Sequence, residues 1–139
     1  MTKIFIDANV IISVLNSEYP AFPFAAKVLS LADNPNYRLF TSPLSIAISF
    51  YFATKKCGVT KAHQKIILLG NKIQIVDTPE DCLKQLAKDK KIKDVEDGMQ
   101  YYAAKKAKCN FIITDNIEDF YFSEIEVKTA SAFLALISN

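Results

Sequence analysis

Short apolar runs alternate with longer segments of helical periodicity along most of this chain. The runs predict strands at residues 3–6, 37–41, 73–76 and 111–113, with a fifth around Val127. Apolar residues spaced by three and four predict helices at residues 10–16, 24–32, 44–56, 60–69, 79–88, 94–106 and 130–137. Strands that alternate with helices favour right-handed crossovers. The expected fold is therefore α/β, a three-layer α/β/α sandwich with a mostly parallel sheet of four or five strands.

Turn and cap residues indicate where several helices begin and end. Pro43 suits the first turn of the helix at 44–56, and Gly58 suits its end. Thr60 is expected to cap the next helix, and Pro79 to begin the one at 79–88. The helix at 44–56 is apolar almost all round, so we expect it to be largely buried.

The length of 139 residues favours a single domain over residues 1–139. Half of the residues are apolar and 12% are aromatic, which argues against disorder. The net charge of +2 is too small to indicate a polyanionic partner by itself.

The three cysteines, Cys57, Cys82 and Cys109, are odd in number and widely separated, which argues against a disulfide framework or a zinc site. Reduced thiols in a cytoplasmic protein are the simplest explanation. The N-terminus lacks the features of a signal peptide, and the longest apolar stretch falls well short of the roughly 20 residues that span a bilayer. We therefore expect a cytoplasmic protein without membrane contact.

A group of lysines precedes the helix at 94–106. The group comprises Lys84, Lys88, Lys90, Lys91 and Lys93. Such a run is usually a solvated surface. Alternatively, it forms a basic rim that guides phosphates towards the acidic residues that follow.

Acidic residues stand where apolar runs give way to turns or helix starts. Asp7 follows the first strand, Asp97 lies in the first turn of the helix at 94–106, and Asp119 lies beyond the fourth strand. Further polar residues beside them are Asp94, Glu96, Asp115 and Asn116. Ligands of open parallel sheets bind at the carboxyl ends of the strands. Carboxylates gathered there repel one another unless a cation is present, so the pattern predicts a divalent-metal site.

Several residues in these segments also have a purely structural interpretation. Asp7 or Asn9 suits a helix N-cap, and Thr114 suits the cap of the turn that follows the fourth strand. Asp94 and Asp97 match a capping box at the start of their helix. The lone His63 lies on a polar helical stretch and is interpreted as a surface residue.

Four segments together resemble the PIN domain family. They are Phe5-Ile6-Asp7-Ala8-Asn9-Val10-Ile11, Ser42-Pro43-Leu44, Asp94-x-x-Asp97-x-Met99-Gln100-Tyr101-Tyr102-Ala103-Ala104 and Ile112-Ile113-Thr114-x-Asn116-x-x-Asp119-Phe120. The segments occur in the family's order and at suitable spacing over nearly the whole chain. The resemblance implies a metal-dependent ribonuclease fold. Single-domain bacterial members are often VapC-type toxins of toxin–antitoxin pairs, so RNA and an antitoxin protein are the implied partners.

The resemblance also implies the composition of the site. Mg²⁺ or Mn²⁺ would be held by Asp7, Asp97 and Asp119, and Asn116 falls where many members carry a fourth acid. Apart from the resemblance, Asp115 and Glu96 are alternative candidates for the catalytic residue that accepts the proton of the attacking water. The candidate supporting residues are Asn9, Asp94, Glu96 and Thr114.

One position departs from the family pattern. Members usually carry a Glu early in the helix after the second strand, and here that position is Ile48. With Asn116 also neutral, three acids remain, which is enough for one Mg²⁺ through water. The alternative is a PIN-like domain with a degenerate site that acts as a binding or assembly module. A phosphotransferase of the haloacid dehalogenase type is disfavoured, because Asn9 stands at the position where that type carries its second acidic residue.

Consecutive aromatic residues exceed what one buried helix face requires. Phe50, Tyr51 and Phe52 lie in a row and predict a subunit interface, so a homodimer is expected. Tyr101 and Tyr102 are interpreted as core or dimer-contact residues.

Overall fold

Five short strands rich in Ile, Phe and Val form the centre of the fold. The structure is a computed structural model, and it describes residues 1–138. Within that range the strands are β1 (Thr2–Ile6), β2 (Tyr37–Thr41), β3 (Gln74–Ile75), β4 (Phe111–Ile113) and β5 (Glu126–Lys128). The helices are α1 (Ala8–Leu15), α2 (Phe22–Ser30), α3 (Pro43–Cys57), α4 (Val59–Leu69), α5 (Cys82–Lys88), α6 (Val95–Lys106) and α7 (Ala130–Ile137). Two 3₁₀ helices cover Leu31–Asp33 and Ile117–Phe120.

The strands lie in the order β3-β2-β1-β4-β5, and every neighbouring pair is parallel. The chain builds the sheet outward from β1 to β3 and then crosses to the other side of β1 to add β4 and β5. Ile6 of β1 pairs with Ile113 of β4, so both strands end at the same level. In such sheets the crevice where the strand order reverses is the usual ligand site.

Side chains alternate between the two faces of the sheet, and each face has its own core. Ile4 and Ile6 pack with residues of α1, α2, α3, α4 and α7. Phe5 and Ile112 pack on the other face with residues of α5 and α6. The predicted three-layer α/β/α sandwich is thereby confirmed, and both faces of the parallel sheet are covered.

The ends of four helices differ from the prediction. α1 begins at Ala8, two residues early, because Asp7 has extended backbone and accepts the Ala8 N–H at 2.8 Å. α2 begins at Phe22, two residues before the predicted start, because Pro23 is accommodated in its first turn. The prediction that Thr60 caps α4 was wrong, because Gly58 at φ +86° reverses the chain between α3 and α4. α5 begins at Cys82 and not at Pro79.

The prediction that α3 is largely buried was also wrong. Its buried residues are Ser45, Ser49 and Ala53, spaced by four residues. Tyr51 and Phe52 are 54% and 44% exposed. Small side chains on one face allow α3 to approach its neighbours closely, so the large apolar side chains are displaced towards solvent.

Cys57, Cys82 and Cys109 are free thiols, and burial raises the pKa of Cys109 to about 12. Within residues 1–138, no helix combines the length and apolar character that a bilayer span requires. Tyr101 and Tyr102 are 3% and 5% exposed, which confirms the core interpretation.

Candidate functional site

Asp7 lies at the junction of β1, β4 and α1. Its backbone N–H donates to the Ile113 carbonyl at 3.0 Å, which joins the ends of the two central strands. Its carboxylate accepts from the Ala8 N–H and from the Thr114 hydroxyl, both at 2.8 Å. Asp7 is therefore an N-cap of α1 and also a carboxylate fixed at the end of the sheet.

Asn9 and Thr114 hold this junction together. The Thr114 hydroxyl accepts from Asn9 Nδ2 at 3.1 Å and from the Asn116 N–H at 3.2 Å. Asn9 Oδ1 accepts from the Asp115 N–H at 3.1 Å. Thr114 thus caps the turn after β4, as its structural interpretation predicted, and also orients Asp7.

The first turn of α6 presents further acids. Asp94 is the N-cap, and its carboxylate accepts the Asp97 N–H at 3.0 Å, as the capping-box interpretation predicted. Glu96 and Asp97 follow in that first turn, where carboxylates also suit the helix dipole.

A buried amide that the residue pattern did not predict joins α6 to α3. Gln100 is 1% exposed, one turn after Asp97. Its Oε1 accepts from the Ser42 hydroxyl, and its Nε2 donates to the Ser45 hydroxyl at 2.5 Å. The only signal was a polar residue amid the apolar run of α6. This link holds the start of α3 against the helix that carries Asp97.

Asp119 lies on the 3₁₀ helix Ile117–Phe120. The Asp119 N–H donates to the Asn116 carbonyl at 3.1 Å. Phe120 is 2% exposed and anchors the segment in the core.

One cavity of about 430 Å³ brings these residues together at the carboxyl ends of β1 and β4. The predicted residues that line it are Asp7, Asn9, Glu96, Asp97, Asp115, Asn116 and Asp119. Thr114 is fully buried beside Asp7 and does not line the cavity, and neither does the helix cap Asp94. Ile48, at the position of the missing acid, lines it as well. Glu18, which we did not predict, is a sixth acid in its lining.

The electrostatics of this cavity favour a cation. None of its lining residues is basic. The pKa of Asp7 is raised to about 6, mainly by burial and also by the charges of Glu96 and Asp115, although the hydrogen bonds from Thr114 and Ala8 lower it. Burial also raises the pKa of Asp97 to about 7, aided by Asp94, Asp7 and Asp119. A positive charge in the cavity would relieve both penalties.

The acids fit a hydrated divalent ion. Oxygen donors of this kind are the ligands that Mg²⁺ and Mn²⁺ prefer. Within residues 1–138, however, no three His, Cys, Asp or Glu side chains lie close enough together to hold an ion directly. Mg²⁺ commonly keeps several water ligands, so a site that reaches the ion partly through water suits this arrangement.

His63 and the lysines that precede α6 are exposed, as predicted for surface residues. His63 is exposed on α4, far along the chain from the acidic residues. Lys90, Lys91 and Lys93 are exposed between α5 and α6. The ion pairs in the described part of the chain, Lys72–Asp33 and Lys128–Glu126, include none of these lysines.

Comparisons with known proteins agree with this architecture. A family model described as PIN domain matches residues 3–118. Ribonuclease VapC1 of Aquifex aeolicus (strain VF5) is 28% identical over 135 residues, which cover 94% of this chain and 92% of the relative.

Two solved structures share the fold. VapBC-1 from nontypeable Haemophilus influenzae has a TM-score of 0.69 at 20% identity, and the match covers 94% of this chain and 99% of that one. VapBC2 from Rickettsia felis, bound to a DNA fragment from their promoter, has a TM-score of 0.69 at 15% identity, covering 92% and 98%.

Proposed function

This chain belongs to the PIN domain family, and from that premise we propose that it is a divalent-metal-dependent endoribonuclease, the toxin of a VapBC-type toxin–antitoxin pair. The observation that carries the proposal is the acidic cavity, in which Asp7 and Asp97 have strongly raised pKa values and no basic neighbour. The similarity to a protein named Ribonuclease VapC1 and to structures of VapBC proteins supports the substrate class and the partner. The test is cleavage of RNA by the purified chain with Mg²⁺ or Mn²⁺, and its loss on chelation.

Asp7, Asp97 and Asp119 are the proposed metal-holding residues, partly through water. When bound, Mg²⁺ or Mn²⁺ supplies an activated water and stabilises negative charge on the phosphate. The hydrogen bonds from Thr114 and Ala8 keep the Asp7 carboxylate in one orientation. Gln100 keeps α6, and with it Asp97, at a constant position relative to α3.

Asp115 and Asn116 have complementary proposed roles beside the scissile phosphate. Burial, with the charge of Glu18, raises the pKa of Asp115, which makes its carboxylate a better proton acceptor for the attacking water. Glu96 is the second candidate for that role. Asn116 carries no charge, so its side-chain amide would donate a hydrogen bond to a phosphate oxygen.

The alternative function is a PIN domain that binds but does not cut. It is motivated by Ile48 in the cavity wall, the neutral Asn116 and the absence of a closed three-acid set within residues 1–138. Calorimetric titration with Mn²⁺ separates the two functions. Binding in the micromolar to low millimolar range supports the nuclease, whereas no heat of binding supports the alternative.

The lysines before α6 are the proposed contact for the RNA backbone. The segment that carries Lys91 is hydrogen-bonded to the segment that carries Asp119. The Lys91 carbonyl accepts from the hydroxyl of Tyr121, which lies two residues after Asp119. Lys90 and Lys93 are exposed in the same segment, directly before the cap Asp94. A phosphate leaving the acidic cavity would meet positive charge here.

Changing Lys90, Lys91 and Lys93 together to Gln should raise the KM for RNA about tenfold and weaken its salt dependence, because phosphate contacts are lost. The kcat should change much less. The measurement is cleavage kinetics at several salt concentrations. The matched control changes the exposed Lys27, Lys61 and Lys106 to Gln. An equal rise in KM for the control would show that only the net charge matters.

Self-association and antitoxin binding are proposed for the apolar surface of α3. Pro43, Ile46 and Phe50 line a groove of about 470 Å³ together with Ile66 and Ile75. Its lining contains no charged residue. Exposed apolar grooves of this kind commonly bind protein partners.

Tyr51→Lys should weaken a homodimer by about tenfold or more, because an exposed aromatic of α3, next in sequence to the groove residue Phe50, would be replaced by a charge. Sedimentation equilibrium over a range of protein concentrations measures the effect. Tyr19→Lys is the matched control, since Tyr19 is 72% exposed in the loop before α2. A parent protein that is monomeric throughout would reject the homodimer.

A further inference from the structure

Glu18 is an acidic residue of the cavity that the family pattern did not indicate. It lies in the loop between α1 and α2 and lines the cavity together with Asp115 and Asn116. The side chain is exposed at the cavity mouth. In the described part of the chain, its carboxylate accepts no hydrogen bond and forms no ion pair. A carboxylate without a protein partner remains available to a ligand.

The local backbone fixes the position of Glu18. Ser17 has φ +50°, in the left-handed region, and turns the chain back after α1. The Glu18 N–H donates to the Ser13 carbonyl at 2.9 Å, and the Glu18 carbonyl accepts from the Phe22 N–H at 2.7 Å. The residue is thus held to α1 on one side and to the first turn of α2 on the other.

The α3 wall of the same cavity lacks an acid. Ile48 and Phe52 are the α3 residues that line it, and both are apolar. The α1–α2 loop therefore places a carboxylate in a cavity to which α3 contributes none. We propose, on the basis of the proposed function, that Glu18 replaces the carboxylate absent at Ile48 and, with Asp115, attracts the divalent cation to this side of the cavity.

The charges around Asp115 support this role. The pKa of Asp115 is raised by burial and then by the charge of Glu18. Asp115 in turn raises the pKa of Asp7. Negative charge therefore runs from Glu18 through Asp115 to Asp7, and the charges of Asp7 and Asp119 in turn raise the pKa of Asp97. Glu18 acts through water, because no three acids of residues 1–138 converge on one point.

Calorimetric titration of the full chain with Mn²⁺ tests the proposal without reliance on activity. Glu18→Gln should weaken Mn²⁺ binding about tenfold. This is the lower end of the loss in metal affinity that follows removal of residues that do not touch the ion directly. Adding Ile48→Glu to Glu18→Gln should restore the affinity, since the carboxylate returns to the same cavity from α3. Glu80→Gln removes one exposed charge outside the cavity and should leave binding unchanged.

The outcomes separate this proposal from the proposed function. If Asp7→Asn abolishes Mn²⁺ binding while Glu18→Gln binds like the parent, the metal site stands and the role of Glu18 is overturned. Equal losses in Glu18→Gln and Glu80→Gln also overturn it, because the effect would then be one of net charge. If the parent itself binds no Mn²⁺, the proposed function fails and this role fails with it.

Discussion

Asp7→Asn should abolish RNA cleavage that depends on a divalent metal ion. We expect kcat to fall about 100-fold or more, as it does when a group that stabilises transition-state charge is removed. Asp7 is the acid held most firmly at the centre of the cavity, between β1, β4 and α1. Asn keeps the size of the side chain and an oxygen that accepts the Ala8 N–H. The change therefore removes the negative charge that the cation requires and one hydrogen bond, because the Asn amide nitrogen cannot accept from the Thr114 hydroxyl.

The measurement is cleavage of a labelled RNA by parent and variant with Mn²⁺, with Mg²⁺ and after chelation. Asp77→Asn is the matched control, because Asp77 is an exposed acid that does not line the cavity. Far-ultraviolet circular dichroism verifies that the variant is folded. Cleavage by Asp7→Asn at the parent rate would reject the site, and parent activity that survives chelation would reject metal dependence.

The metal-free protein should lose stability as the pH rises from about 4 to about 7. The pKa of Asp7 is about 6 and that of Asp97 about 7 in the folded chain, against 3.8 when unperturbed. Between these values the folded state binds more protons than the unfolded state, so the free energy of unfolding falls as pH rises. The shift at Asp7 corresponds to about 3 kcal/mol at neutral pH. Solvent screening reduces the contribution of the less buried Asp97.

Urea unfolding at several pH values with chelator present measures this loss, and Asp97→Asn isolates one group. At pH 4 the variant should be about as stable as the parent, because Asp97 is then protonated. At pH 8 the variant should be more stable than the parent, because a repelled carboxylate is absent. Asp77→Asn should follow the parent at both pH values.

Added Mn²⁺ should reverse the loss in the parent at pH 8 by mass action and should do so much less in Asp97→Asn. A variant that is less stable than the parent at pH 8 would show that the Asp97 carboxylate stabilises the fold. That result would contradict the crowding of acids on which the site depends.

The arrangement of the strands and of the central acids could be predicted because it follows from local rules. Runs such as residues 3–6 and 111–113 are too short and too apolar for surface helices, and parallel strands end at a common edge. The residues that follow each strand lie at that edge, so the sequence predicts that Asp7 and Asp115 lie close together. The lining of the cavity by Ile48 was expected from the resemblance to the PIN domain family, whose members usually carry a Glu at this position.

Other features depended on contacts that the local sequence does not encode. Glu18 enters the cavity because the backbone at Ser17 turns back and the loop bonds to Ser13 and Phe22. Gln100 is buried because Ser42 and Ser45 satisfy its amide from another helix. The partners of Gln100 lie 58 and 55 residues away in sequence. The partners of Glu18 are close in sequence, but the left-handed backbone at Ser17 is not indicated by its residue type.

By itself, the sequence determined the order of strands and helices, the parallel sheet and the acids at its carboxyl edge, because these depend on periodicity and on how parallel strands connect. Only the tertiary structure decided that small residues of α3 face inward and its aromatics outward, and that a loop carboxylate joins the cavity. The physical reason is that burial and charge are properties of the surroundings in space, which close-packed neighbours distant in sequence supply.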